Sequence, residues 1–119
     1  MEQLNQARCV PCEGGIPPAA DSEIAGYLAQ LPGWVVIEVE RVKRLSKAFA
    51  FDNFVYALAF TNRVGDLAEA DGHHPALLTE WGKVTVTWWT HAIGGLHKND
   101  FIMAAKTEEA FQRAAGTKS

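Results

Sequence analysis

All four histidines of the chain, His73, His74, His91 and His97, fall between Asp71 and Asp100, and the pair His73-His74 runs directly into Pro75. Imidazole titrates near neutral pH, so this concentration points to proton transfer or to metal binding. Metal is the weaker reading. Adjacent histidines on regular backbone project in different directions, and neither H-E-x-x-H nor a second C-x-x-C occurs to complete a tetrahedral set. Cys9-x-x-Cys12 is half of such a set and lacks the strand-then-helix setting of a redox motif, so we expect it to belong to a leader with no folded role.

Acid/base chemistry needs elements that bring the imidazoles to one place. The stretch Lys83-Val84-Thr85-Val86-Thr87-Trp88-Trp89-Thr90 alternates Val and Trp with Thr and reads as a strand. Ala76-Leu77-Leu78 precedes it across a break at Gly82, so the two form a hairpin. His73-His74-Pro75 then lies just before one strand and His91 just after its partner, and antiparallel pairing brings both ends to the same rim. Asp100, at the start of the last helix, is a carboxylate that could orient one imidazole, although acidic residues cap helices without any catalytic task. His97 has no such placement and is expected at the surface.

The remaining elements follow from periodicity. Asp21 and Ser22 supply N-cap chemistry for a helix carrying Ile24, Tyr27, Leu28 and Leu31, stopped by Pro32-Gly33. Alternation from Val35 to Phe49 predicts two strands turning near Glu40-Arg41. A longer helix is expected from an N-cap near Asp52, with Phe51, Phe54 and Phe60 as core, ending before Asp71-Gly72. Asn99 or Asp100 is expected to cap a last helix that buries Phe101, Ile102, Ala105 and Phe111. The order α-β-β-α-β-β-α, with strands arriving in hairpins, predicts an α+β two-layer domain: a four-stranded antiparallel sheet with three helices on one face. Trp88 and Trp89 must then point to opposite sides of the sheet, and the one on the uncovered side is a candidate for an oligomer interface.

Length and composition agree with one such domain, expected over 21–119 behind an irregular leader at 1–20. A chain of 119 residues, 48% hydrophobic and 21% charged, has room for one globular core and is not disordered by composition. A net charge of −3 argues against direct nucleic-acid binding. No apolar run approaches the roughly twenty residues needed to span a bilayer, and the N-terminus is too polar for the apolar core of a signal peptide. Together with the absence of a disulfide framework, this leads us to expect a soluble, cytoplasmic protein with no membrane contact.

The residues Glu69-x-x-x-His73-His74-Pro75, Lys83-Val84-x-Val86-x-x-x-Thr90-His91, Gly95-Leu96 and Asp100 resemble the pterin-4a-carbinolamine dehydratase family, bacterial type. The resemblance covers about a hundred residues, including Gly33-Trp34 and Phe49-x-Phe51-x-x-Phe54, and leaves out the leader. It implies a hydro-lyase that removes water from 4a-hydroxytetrahydrobiopterin to give quinonoid dihydropterin, recycling the pterin of aromatic amino acid hydroxylases, with no metal and no organic cofactor. Carried across, His73 and His91 are the acid/base pair, with the acid and the base not distinguished, and His74 holds the pterin and stabilises developing charge. Pro75, Asp100 and Trp34 are implied at the substrate, Trp34 as a wall beside the pterin. Leu77 stands where relatives often carry an aromatic residue, and Ala76 where they often carry a polar one, which bears on the pocket rim and not on the histidines. The implied partners are a small-molecule pterin, a second copy of the chain in a homodimer or tetramer, and a functional link to phenylalanine hydroxylase. A reading from another class is a protein-binding dimerisation cofactor that regulates transcription or hydroxylase expression. An inactive paralogue is a third, disfavoured because His73, His74 and His91 are all present.

Overall fold

The structure is a computed structural model and describes Leu4 and residues 17–118; Cys9 and Cys12 lie outside the described residues. Among these residues the chain forms helices α1 (Asp21–Leu28), α2 (Phe54–Asp71) and α3 (Lys98–Gln112) and strands β1 (Val35–Val39), β2 (Val42–Ala50), β3 (Ala76–Glu80) and β4 (Lys83–Trp88). The strands make one antiparallel sheet in the order β1-β2-β4-β3. The architecture is the expected α+β arrangement, with the helices packed on one face.

Each helix starts where a side chain reaches an orphan backbone N–H, and this shifts all three caps from their expected positions. Helix α1 is capped at Ala20, whose N–H donates to Glu23 Oε1 at 3.0 Å. Asp21, expected as the cap, already lies inside the helix, and its carboxylate accepts from Lys43 Nζ at 2.8 Å. Helix α2 is capped by Asn53 and not Asp52, because Asn53 Oδ1 is the acceptor for the Tyr56 N–H at 3.2 Å. Its buried residues Ala57, Phe60, Val64 and Ala68 repeat at helical spacing. Phe54 is 44% exposed, so the aromatic stripe expected as core is core only at Phe51 and Phe60.

The β1–β2 hairpin turns at Glu40-Arg41 as read, with both residues at positive φ (52° and 67°). That is the geometry of a two-residue hairpin loop that normally favours Asn-Gly. On the helix-facing side of the sheet, Leu45, Phe49, Val84, Val86 and Trp88 are all buried. On the open side Val35, Ile37 and Val39 of the edge strand are exposed. The C-terminal residues return to the sheet: Thr117 bridges Phe51, and the Asp52 N–H donates to Gly116 O at 2.7 Å. Gly116 has φ 70°, and a Cβ there would lie 2.1 Å from the Tyr56 ring, so only glycine fits. The expectation that the leader has no folded role fails at Leu4, which is 2% exposed within the hydrophobic core.

Candidate active site

Gly72 ends helix α2 in the left-handed conformation, φ 63°, and its N–H together with that of His73 closes onto the last carbonyls, including Ala68 O. The chain leaves the helix at that point and runs extended through His73, His74 and Pro75 into β3, where Pro75 needs no ladder hydrogen bond. β3 pairs with β4 in the register Ala76↔Thr87 and Leu77↔Val86. His73 and His74 therefore enter the hairpin at the end from which Trp89, Thr90 and His91 leave it. Past β4, Thr90 bridges Gly95 and His91 begins a single 3₁₀ turn, His91–Ile93.

Asp100 organises this rim. It is fully buried, and its two oxygens accept from three sources. His73 Nε2 lies 2.7 Å from Oδ1, and Oδ2 takes the Thr90 hydroxyl at 2.8 Å and the His97 N–H at 2.9 Å. Buried carboxylates persist when their lone pairs are filled in this way. Asp100 is not the cap of α3, as expected, but its N3 residue. The cap is His97, whose Nδ1 accepts from the Asn99 N–H at 3.1 Å while its own N–H is taken by Asp100. His97 is therefore a structural residue of this rim and not merely a surface one.

The three candidate catalytic histidines have different surroundings. The His73 side chain is 12% exposed, and its ring stacks on Trp88 with centroids 5.8 Å apart and planes 9° from parallel. A carboxylate only accepts, so His73 Nε2 carries a proton toward Asp100, leaving Nδ1 as the lone-pair nitrogen of the neutral ring. His74 is more open, its side chain 58% exposed, and its Nε2 meets Glu69 Oε1 at 2.7 Å. Glu69 stands in the last turn of α2, so the helix end and the extended run together set the His74 ring. His91 is exposed, and its ring lies against Trp89 at 4.6 Å between centroids.

Of the six residues singled out from sequence, His73, His74, Pro75, His91 and Asp100 are thus carried to the same end of the sheet, and Trp34 lies in the core. Trp34 is 4% exposed, donates its indole N–H to Glu108 Oε1 at 2.9 Å and packs edge-on against Phe49. Phe49 pairs with Val84 at the start of β4, and Glu108 lies eight residues beyond Asp100 on α3, about 12 Å along the axis. Trp34 therefore lies in the core directly before β1, where its contacts are with Phe49 and Glu108 and not with the histidines. A cavity of about 860 Å³ has Leu4, Leu31, Lys47 and Glu108 among its lining residues, and none of the histidines lines it. Thr90, Glu69 and Trp88 were not singled out as site residues. The signal for Thr90 was its place directly before His91, and that for Glu69 its position four residues before His73. Among the described residues no group of three or more His, Cys, Asp or Glu is placed to hold a metal ion. No helix among them is long and apolar enough to cross a membrane.

A two-layer α+β fold thus gathers imidazoles at one rim, one of them bonded to a buried carboxylate, an arrangement suited to proton transfer. The comparisons identify the family. Residues 17–110 match the family described as Pterin 4 alpha carbinolamine dehydratase, and the chain belongs to that family of hydro-lyases. It is similar to proteins carrying the pterin-4-alpha-carbinolamine dehydratase name in Chlorobaculum tepidum (59% identity over 92% of this chain and 98% of that one) and Chlorobium luteolum (53% identity over 94% and 98%). The crystal structure of a transcriptional coactivator/pterin dehydratase from Brucella melitensis superposes with a TM-score of 0.70 at 29% identity, covering 78% of this chain and 97% of that one.

Proposed function

We propose that the protein dehydrates a 4a-hydroxytetrahydropterin to the quinonoid dihydropterin, with His73 and His91 as the acid/base pair. The observation that carries this reading is the chain of contacts from His73 through Asp100 to Thr90, whose next residue is His91. The reaction needs a proton delivered to the departing 4a hydroxyl, so that it leaves as water, and a proton removed from N5. Two imidazoles at one rim can do both near neutral pH. Asp100 fixes the tautomer of His73 and so presents Nδ1 to the substrate. His74, held by Glu69, contacts the pterin, and Pro75 shapes the entry to β3. The substrate of the named relatives supports a pterin here, and the natural role we assign is recycling the cofactor of an aromatic amino acid hydroxylase such as phenylalanine hydroxylase. We place the enzyme in the cytoplasm and read 21–119 as its catalytic domain. The exposed apolar side chains Phe54, Val55 and Leu58 on α2 support assembly into a homodimer or tetramer. A second reading, a protein-binding role in transcription, is favoured by one observation: the Brucella relative is described as a coactivator as well as a dehydratase.

The test is stopped-flow absorbance of 4a-hydroxytetrahydropterin decay, the substrate being generated in situ by a phenylalanine hydroxylase. The wild type is expected to accelerate decay. His73→Ala and His91→Ala are each expected to lose about 10²-fold or more of that acceleration while remaining folded by circular dichroism. Unchanged rates in either variant remove that residue from the acid/base pair.

A further inference from the structure

The three histidines at the rim are not held alike. His73 Nε2 is fixed by Asp100 and His74 Nε2 by Glu69. Among the described residues the His91 ring makes no hydrogen bond, and its contact is with a ring: the imidazole lies 4.6 Å from the Trp89 centroid, inclined by 44°. Its backbone is anchored, since the Gly94 N–H closes onto His91 O at 3.3 Å and Thr90 bridges Gly95. The side chain, however, would sweep its rotamers freely in water without that neighbour.

Trp89 is itself held in place. Trp88 points into the helix layer, so Trp89 emerges toward the other face, where it is partly buried against the margin of the hydrophobic core. The pairing Leu45↔Trp88, continued by one residue, sets Arg44 opposite Trp89. The Arg44 guanidinium carbon lies 4.1 Å from the indole centroid, inside the range of a cation–π contact. Arg44 Nε is buried and has no hydrogen-bond acceptor among the described residues, and the guanidinium rests on the ring face.

We propose that Trp89, braced by Arg44, is a positioning residue for His91: the indole orients the imidazole at the rim by ring contact alone. Both ring nitrogens of His91 are left free for proton transfer, which a carboxylate partner would not allow. The inference rests on the acid/base reading of His91 given above. The alternative, that Trp89 only covers sheet surface, predicts changes in stability without a selective change in turnover.

The experiment pairs dehydratase kinetics with NMR of the His91 ring protons, for the full-length wild type, Trp89→Ala, Trp89→Phe, Arg44→Met and His91→Ala. Trp89→Ala is expected to lower kcat about tenfold, as misplaced catalytic groups do, with KM within about twofold, and to abolish the ring-current displacement of the His91 resonances. Trp89→Phe keeps a ring and is expected to restore most of kcat. Arg44→Met, which keeps the stem and is the arm that decides if Trp89→Ala does not fold, is expected to lower kcat about threefold, the scale of a lost cation–π contact. It should also move the His91 resonances toward free imidazole. Unchanged kcat together with unchanged His91 resonances in the folded variants overturns the positioning role. If His91→Ala itself keeps full activity, the acid/base reading of His91 fails and the positioning role falls with it. That outcome is distinguished from the first because Trp89→Ala would still displace the resonances.

Discussion

Phe49, Phe51, Phe60 and Phe111 pack ring against ring at one end of the helix–sheet interface, with contacting centroids 4.8 to 5.8 Å apart. At the other end the equally buried space beyond Trp88 holds Asp100 and its three hydrogen-bonding partners. The two ends tolerate error differently. In the aromatic end a lost methylene costs in proportion to the volume left empty. In the polar end a partner that can no longer accept leaves a buried donor unpaired, and the geometry it held is lost with it. On the proposed reading the fold places its stability at one end of β4 and its chemistry at the other, and substitutions should separate the two.

The largest effect on stability is expected at the aromatic end. Phe60→Ala removes a ring that is 2% exposed and touches Phe49, Phe51 and Phe111, and should lower unfolding free energy by about 3–5 kcal/mol. Denaturant unfolding reads that loss. Turnover per folded molecule should stay at the wild-type value, and a parallel fall in kcat would show that the two ends are coupled.

Asp100→Asn sharpens the contrast from the polar end. The side chain keeps its volume, and its one oxygen can still accept from Thr90 and the His97 N–H. Its amide then faces His73 Nε2 as a donor, which forces the imidazole to carry its proton on Nδ1 and withdraws the lone pair from the free edge. We expect a stability loss of only about 1–2 kcal/mol, the scale of one charge-assisted hydrogen bond, and a rate loss of about 10²-fold from the wrong tautomer. Rate and stability measured on one preparation decide this. Normal turnover in the Asp100→Asn variant would mean that Asp100 is structural only.

These two ends also differ in how much of them could be read in advance. The periodic parts were legible: the Val and Trp alternation of Lys83–Trp88, the turn at Glu40-Arg41, and the convergence of His73 and His91 on one rim all follow from spacing that a pleated hairpin enforces. The caps were displaced by one residue or more, because Asp21 and Asp52 have cap chemistry without being the side chain that reaches the free N–H, and Asp100 reaches one from the third helical position. Asp100 has the composition of a cap and the position of its reciprocal partner, and only the path of the backbone separates these. Trp34 could not be placed from sequence, since its neighbours Phe49 and Glu108 lie far along the chain. Thr90 and Trp89 read as alternating strand residues, and their roles appear only once Asp100, Arg44 and His91 arrive from other elements.

The smallest effect tests whether charge outside these two ends matters at all. Asp21 and Lys43 join α1 to β2 at 2.8 Å on the open surface. Hydrogen bonding and attraction from Lys43 hold the Asp21 carboxyl below its ordinary value of 3.8, and Asp21 raises the lysine in return. A carboxyl with a depressed folded-state pKa contributes stability above its unfolded value and loses it as pH falls through the folded one. Asp21→Asn should therefore lower the melting temperature slightly at neutral pH and low salt, and the difference from wild type should vanish both in acid below the depressed value and in high salt. A difference that persists in acid, where the carboxyl is neutral, would mean that Asp21 acts through packing and not through its charge. Turnover should be untouched throughout, because neither residue contacts the His73, Asp100 and Thr90 chain that distinguishes the reactive end of the sheet.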